Sequence, residues 1–398
     1  MKPRARIVAS ALIAPGAVLF TACLLDLGSL SSGGASAGGG TTSSSTSSVS
    51  SSGGDAGDDG DASDAADAAD AADAADASDA SDAGDASCPL LDCTCVGGPT
   101  VLAAGATLAD TPRGIAVTSD GVYWLNRQSN ELRRLPAGGG PPELLASTPT
   151  PRAIAIAGGK VVWTADDGVH TCQASSCSGS QSLVFASLAP GSLRDVAFDG
   201  QIAVWTDQGT GSNNGKTRAC AIDACAAPND LDTNLTAPGG VTLYGNSAFW
   251  VDQGTGNLNG NVTRELKVGG SYAQLAAALD LPTTVAVDDA YIYWTSWLPS
   301  GHVYRCPYTA GYCNTPEDFA PAGGALGRPF DLSVVGGRIY WTSTDDGSIM
   351  SCPQPGCGTA KPKVHVSGRQ GLHRLAVGSS CIFWTEDGGG GAVMKIAR

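Results

Sequence analysis

From Ile115 onward the hydrophobic positions fall into one recurring figure. An apolar triplet such as Ile115-Ala116-Val117 is followed, after a polar turn, by a second apolar run ending in tryptophan, as in Val122-Tyr123-Trp124. The figure occurs seven times, at Trp124, Trp163, Trp205, Trp250, Trp294, Trp341 and Trp384. Nine residues before these stand Ile115, Ile154, Val196, Val241, Val285, Leu332 and Leu375. That offset is constant, whereas successive tryptophans are 39 to 47 residues apart. Fixed spacing within a unit and variable spacing between units mark a structural repeat with loop insertions. In the first unit the pattern predicts strands over Ile115–Thr118, Val122–Asn126, Leu132–Pro136 and Glu143–Ser147, with Ser119-Asp120-Gly121 as the first turn. Short, evenly spaced strands with Gly and Asp turns indicate an all-β chain, and seven such units indicate a seven-bladed β-propeller.

Side-chain size supports that arrangement. The centre of the first triplet is small in most units (Ala116, Ala155, Ala197, Ala286, Ser333, Ala376), as crowding around a common axis requires. The tryptophans are large enough to fill the gaps between blades. After Trp384 only one further strand fits, Val393–Ala397, while an unassigned strand-like stretch, Thr100–Ala103, precedes the first unit. Pairing these two completes the seventh blade, joins the chain ends and leaves the ring closed, so a monomer is expected.

Twelve of the thirteen cysteines fit this scheme as disulfides. Cys172/Cys177, Cys220/Cys225, Cys306/Cys313 and Cys352/Cys357 are close pairs where a third strand turns into a fourth. Cys88/Cys93 has the same form and is expected to clip the split blade, leaving Cys95 and Cys381 as a sixth pair. Such bridges require an oxidising compartment. A zinc site is disfavoured, because no Cys-x-x-Cys occurs and the pairs fall in different blades.

The N-terminal region has a different character. Lys2, Arg4 and Arg6 precede an apolar run from Ile7 to Phe20, the pattern of a secretory signal over residues 1–22. The run ends in Phe20-Thr21-Ala22-Cys23, which resembles the lipobox of bacterial lipoproteins. The resemblance implies cleavage before Cys23, lipidation of Cys23, a membrane as partner and a place in the bacterial cell envelope. Leu24 at the next position leans, by the same resemblance, toward the outer membrane. Residues 23–87 follow as anchor and linker, first Ser/Gly-rich, then an Asp-Ala-Ala and Asp-Ala-Ser repeat. With no aromatic residue from Gly28 to Ser87, nothing offsets the entropy of ordering, and disorder is expected. As a coil these 60 residues span about 45 Å.

The linker also explains the acidity of the chain. The formal charge is −15, and loss of the three basic signal residues makes it −18. Twelve linker aspartates and Asp26 account for −13 of that, leaving about −5 on the propeller, residues 88–398. No basic stripe is present, which argues against nucleic acid as a partner.

The tetrapeptides Tyr293-Trp294-Thr295-Ser296, Tyr340-Trp341-Thr342-Ser343, Val204-Trp205-Thr206-Asp207 and Phe383-Trp384-Thr385-Glu386 resemble the YWTD repeats of the low-density-lipoprotein-receptor class of propellers. That family closes with six blades, whereas seven units are present here, so its ligand-binding residues are not carried over.

Candidate binding residues come from the position eleven before each tryptophan: Arg113, Arg152, Arg194, Gly239, Thr283, Phe330 and His373. His373, Arg113, Arg152 and Arg194 are neighbours around the ring and form a basic crescent suited to an anionic group. The alternative is that each arginine bridges to a loop carboxylate, Asp166, Asp207 or Glu386, and ties blades together. Two near-identical loops, Asp207–Gly215 and Asp252–Gly260, offer oxygens to calcium through Asp207 and Asp252, although each has one carboxylate and is better read as a long hairpin turn. Trp297 stands outside the repeat and is a contact anchor or a local staple. No catalytic residue and no cofactor are assigned. The expected function is a membrane-anchored binding or scaffolding module for a protein, glycan or anionic small molecule. The alternative is a propeller hydrolase or lyase acting on an anionic substrate at the channel mouth.

Overall fold

Each blade begins as a tight hairpin, and this is why the nine-residue offset does not vary. In blade 2, Ile154–Ala157 pairs with Lys160–Ala165, and in blade 6, Pro329–Val335 pairs with Arg338–Ser343. The joining residues are Gly158-Gly159 and Gly336-Gly337, whose φ values are 57° and 72°, and 59° and 70°. Two consecutive positive φ angles match the right-handed twist of the flanking strands and exclude most side chains. With no room for insertion there, every tryptophan is held opposite its apolar partner, from Ile115↔Trp124 to Leu375↔Trp384.

The computed structural model describes residues 89–94, 97–104, 111–309, 311–321 and 326–398. The signal segment 1–22, Cys23 and the linker 23–87 lie outside the described residues, as do Cys88 and Cys95. The described chain forms seven four-stranded antiparallel sheets, a seven-bladed β-propeller. Blade 1 consists of Pro112–Thr118, Gly121–Asn126, Glu131–Pro136 and Glu143–Ser147, close to the strands expected. Its innermost strand starts three residues earlier than the pattern suggests, because its register slips between Pro112 and Ile115. The same slip occurs in every blade except the second.

The tryptophans are buried in the seams, none more than 3% exposed. Trp163 of blade 2, for example, packs with Leu132, Leu145 and Ala146 of blade 1. Burial of a side chain of this size contributes a few kcal/mol, roughly 25 cal/mol per Å² of apolar surface removed from water.

The residue after the tryptophan performs a second task. Thr206, Thr295, Thr342 and Thr385 each accept, through Oγ1, the N–H freed by the slip in their own innermost strand, that of Asp195, Thr284, Asp331 and Arg374. The same hydroxyls donate to the next blade, to the carbonyls of Gly239, Phe330, His373 and Arg113 at 2.7–3.2 Å. One hydroxyl therefore satisfies two backbone groups and joins two blades. Leu125 and Val251 stand at this position in blades 1 and 4. There the junction is apolar and close-packed, with Leu125 against Gly114 and Val251 against Gly239.

Closure is as expected. Thr100–Ala104 is the outermost strand of blade 7 and pairs with Ala392–Ala397, with Val101 opposite Met394. The four clips Cys172–Cys177, Cys220–Cys225, Cys306–Cys313 and Cys352–Cys357 are present. The expected pairing of the remaining cysteines is corrected. Cys93 is bonded to Cys381, with Cα atoms 5.3 Å apart, and neither to Cys88 nor leaving Cys381 for Cys95. The segment Pro89–Thr94 is not a third-to-fourth strand turn but a strap drawn against blade 7. Lys395 Nζ donates to the carbonyls of Pro89 and Leu90, and Ser380 Oγ donates to that of Leu91. Those bonds bring fully buried Cys93 to the start of the second strand of blade 7.

The Cys93–Cys381 bridge spans 288 residues, whereas three of the clips span five. On chain entropy alone these correspond to about 6 and about 2 kcal/mol. Non-reducing peptide mapping is expected to recover a Cys93–Cys381 peptide. The Cys93→Ala/Cys381→Ala protein is expected to melt well below the Cys352→Ala/Cys357→Ala protein. Equal melting temperatures would show that the long bridge does not secure the ring.

Candidate functional site

The register slip that frees backbone N–H groups also turns side chains toward the ring axis. One step along from the predicted crescent, ten residues before each tryptophan, the column reads Gly114, Ala153, Asp195, Gly240, Thr284, Asp331 and Arg374. All but Gly240 border an axial cavity of 320 Å³ that is also lined by Thr242, Ala286 and Ser333. Small residues leave the space open, and the three charged ones meet across it. Arg374 of blade 7 reaches Asp195 of blade 3 at 3.3 Å and Asp331 of blade 6 at 3.1 Å.

The second oxygen of each aspartate also has a partner. Asp195 Oδ2 accepts from the N–H of Val241 at 3.1 Å, and Asp331 Oδ2 from that of Leu375 at 2.8 Å. Both donors belong to the following blade, in the stretch where the register has slipped. Burial pushes the Asp331 carboxyl above its usual range, opposed by Arg374 and the Leu375 N–H and reinforced by Asp195. Burial acts to lower Arg374, but Asp195 and Asp331 outweigh it, and its guanidinium is held more firmly protonated than usual.

The predicted crescent lies one residue earlier, and the structure supplies its members with partners. Arg113 binds Asp387 at 2.7 Å and His373 Nδ1 at 3.0 Å. His373 Nε2 is 2.8 Å from the same Asp387 carboxylate. Arginine only donates, so Nδ1 must accept and Nε2 must carry the proton. His373 is accordingly neutral. Burial is the main cause of its lowered pKa, with the charge of Arg113 adding to it and Asp387 opposing it. Burial raises Asp387, but the hydrogen bond from His373 and the charge of Arg113 outweigh it and hold the carboxyl low.

Arg152 binds Asp166 at 3.4 Å, as the bridging alternative expects. The other two bridging expectations are corrected. Arg194 donates to Gln208 instead of Asp207, which pairs with Arg218 at 3.0 Å. Glu386 takes Arg369 at 2.7 Å and the Trp384 indole N–H at 2.6 Å, leaving Arg113 to Asp387. Phe330 completes this part of the mouth, edge-on to His373 and 5.6 Å from the Arg374 guanidinium. Arg113 is thus met by Asp387, Arg152 by Asp166 and Arg374 by Asp195 and Asp331, while Arg194 meets the Gln208 amide. Carboxylates therefore offset much of the positive charge of the crescent.

Trp297 is tied locally. The Arg328 guanidinium lies 5.6 Å from its ring centre and binds Asp345 at 2.6 Å. Asp207 and Asp252 act as turn residues. Asp207 accepts the Gly209 N–H, and Asp252 accepts those of Thr236, Ala237 and Gly254. Among the described residues no group of three or more His, Cys, Asp or Glu side chains is arranged to hold a metal ion. Sequence reasoning missed Asp195, Asp331 and Arg374. Their signal was three charges in a column otherwise occupied by Gly, Ala and Thr.

No protein-family model matches the chain, and no curated protein matches it. The fold is shared with solved propellers of diverse kinds. Virginiamycin B lyase from Staphylococcus aureus is 13% identical, with a TM-score of 0.60 over 75% of this chain and 99% of that one. Hydrazine synthase of Kuenenia stuttgartiensis is 12% identical, with a TM-score of 0.57 over 74% and 97%. The WD40 propeller domain of Doa1 is 9% identical, with a TM-score of 0.57 over 76% and 98%. Likeness at this level of identity is likeness of fold.

Two outcomes follow from the charged groups. Arg374→Met leaves two aspartates facing the cavity without their cation and is expected to cost about 3–5 kcal/mol in chemical denaturation. Adding Asp195→Asn and Asp331→Asn is expected to restore part of that, and no restoration would refute the ion network as the cause. The second outcome concerns acid. Unfolded histidine binds a proton near pH 6.5. Folded His373 resists protonation, and folded His365, buried beside Lys363 and Arg338, does so down to about 4. Below pH 6.5 the unfolded chain therefore binds more protons, so stability falls as pH falls through this window. His373→Asn is expected to flatten the pH dependence measured in urea, and an unchanged slope would contradict the assignment.

Proposed function

We propose that this protein is an extracytoplasmic propeller, anchored through lipidated Cys23, that works as a binding or scaffolding module. Its ligand-binding surface is the channel mouth carrying Arg113, Arg152, Arg194, Phe330 and His373. The observation that carries the reading is the 320 Å³ concavity lined by Asp195, Asp331 and Arg374, with the Arg113–Asp387 and Arg152–Asp166 pairs one residue before lining positions of the inner strands. Concave surfaces with a few fixed polar groups are where proteins hold ligands. The array is rigid because each charge is already bonded, and it offers donors and acceptors side by side. A peptide or glycan segment that presents both kinds of group suits it better than a simple anion does. Five cysteine pairs at bonding distance support an oxidising compartment, in keeping with the secretory pattern at residues 1–22.

Peptide and glycan arrays probed with the protein are expected to give saturable binding. Arg152→Ala/Arg194→Ala is expected to weaken that binding at least tenfold. Loss of stability with binding unchanged would sink the mouth as the site, and turnover of a bound array member would favour an enzyme.

A further inference from the structure

In most blades the seam beside the tryptophan is apolar. Blade 1 contributes Leu132 and, opposite it on the outermost strand, Ala146, while blade 2 contributes Trp163 and Cys172. The equivalent residues at the seam between blades 3 and 4 are Thr217, Asp232, Trp250 and Glu265. Glu265 stands opposite Ala248, two residues before the tryptophan, where four other blades carry the first cysteine of a clip. All four seam residues at this junction are therefore polar or carry a polar atom, and shared topology points them at one another.

Thr217 Oγ1 and Glu265 Oε2 are buried without a hydrogen-bond partner, and Asp232 Oδ2 and Trp250 Nε1 have none but each other. Thr217 and Trp250 are fully buried, and Glu265 is 7% exposed. The two carboxylates are also held in the same manner. Asp232 Oδ1 accepts the Thr233 N–H at 2.8 Å, and Glu265 Oε1 accepts the Gly270 N–H at 2.7 Å. In each, one oxygen is fixed by the backbone and the other is left for something else. Nearby basic residues are engaged elsewhere, Lys216 and Arg218 both binding Asp230. Burial, with the charges of Asp252 and Glu265 adding to it, raises the Asp232 carboxyl against the Thr233 N–H and the Trp250 indole N–H, which act to lower it.

We propose that the seam between blades 3 and 4 binds one hard divalent cation of the calcium class through Asp232 Oδ2, Glu265 Oε2 and Thr217 Oγ1. Oxygen donors of this kind select calcium-like ions, and water fills the remaining coordination positions. Backbone N–H groups that orient the ligating carboxylates act as an outer shell. Two carboxylates and a hydroxyl make a sparse set, so the affinity falls in the range of about 10⁻⁴–10⁻³ M typical of extracellular modules. Bound there, the ion joins the third and fourth strands of neighbouring blades, at the one junction flanking a blade in which Glu265 replaces a clip cysteine.

The test uses Tb³⁺ as the probe on the full chain, exciting the tryptophans and reading sensitised emission. Trp250 lines the seam, whereas residues 28–87 hold no aromatic residue, so terbium on the linker aspartates stays dark. Saturable emission displaced by millimolar Ca²⁺ is expected, together with a melting temperature raised by Ca²⁺ and returned by chelator. Asp232→Asn and Glu265→Gln should each weaken displacement by Ca²⁺ at least tenfold. Thr217→Val, which removes no charge, should weaken it less. Emission that is absent, or unchanged in the Asp232→Asn/Glu265→Gln protein, overturns the proposal. So does a metal-free double variant that melts higher than the parent while neither responds to Ca²⁺, since the pair would then be sharing a proton.

Discussion

The structure depends on what happens at the seam between two blades. There a tryptophan from one blade fills the gap to its neighbour, and in most blades the threonine after it bonds across to the neighbour's innermost strand. The indole supplies apolar contact, which has no direction. The hydroxyl supplies direction, because it must meet one N–H and one carbonyl whose positions are set by the slipped register of the inner strand. Together they fix both the distance and the rotation between wedges, and seven equal wedges close without remainder.

The register slip links packing to chemistry. A regular inner strand would satisfy all its N–H groups within the sheet and would turn alternate side chains into the seams. The slip releases N–H groups in the stretch whose residues border the axial cavity. Threonine hydroxyls and, in blades 3 and 6, aspartate carboxylates take up the released N–H groups. Asp195 and Asp331 are thus backbone acceptors first, and their charge is then met by Arg374, from the adjacent blade for Asp331 and from across the channel for Asp195. The ion network is a consequence of closing the backbone hydrogen bonds, and it stiffens the mouth on which ligand recognition is proposed to rest.

Closure of the ring is secured at several levels. The N-terminal strand completes blade 7, a strap before it is held by Lys395 and Ser380, and Cys93 is bonded to Cys381. The remaining bridges act locally, each clipping one turn within a blade. The bridge that joins the two ends constrains the largest loop of the unfolded state and so contributes most.

The blade count, the strand pairing at closure and the four local clips were legible because each is encoded by spacing along the chain. A two-residue turn leaves no freedom between Ile115 and Trp124, and a separation of five residues places both cysteines of a clip in one turn. Spacing did not reveal which side chains meet across the ring or at its closure. Cys93 resembled half of a clip, yet the strap places it beside Cys381, far away in sequence. Arg113, Arg152, Arg194 and His373 resembled a positive crescent, yet the fold sets a carboxylate or amide beside each. Asp195, Asp331 and Arg374 are far apart in sequence and meet only because blades 3, 6 and 7 surround the same axis. Periodicity determines which residues share a wedge and which face they take. Only closing the circle decides which charges meet across it, because that contact depends on angles between blades and not on distance along the chain.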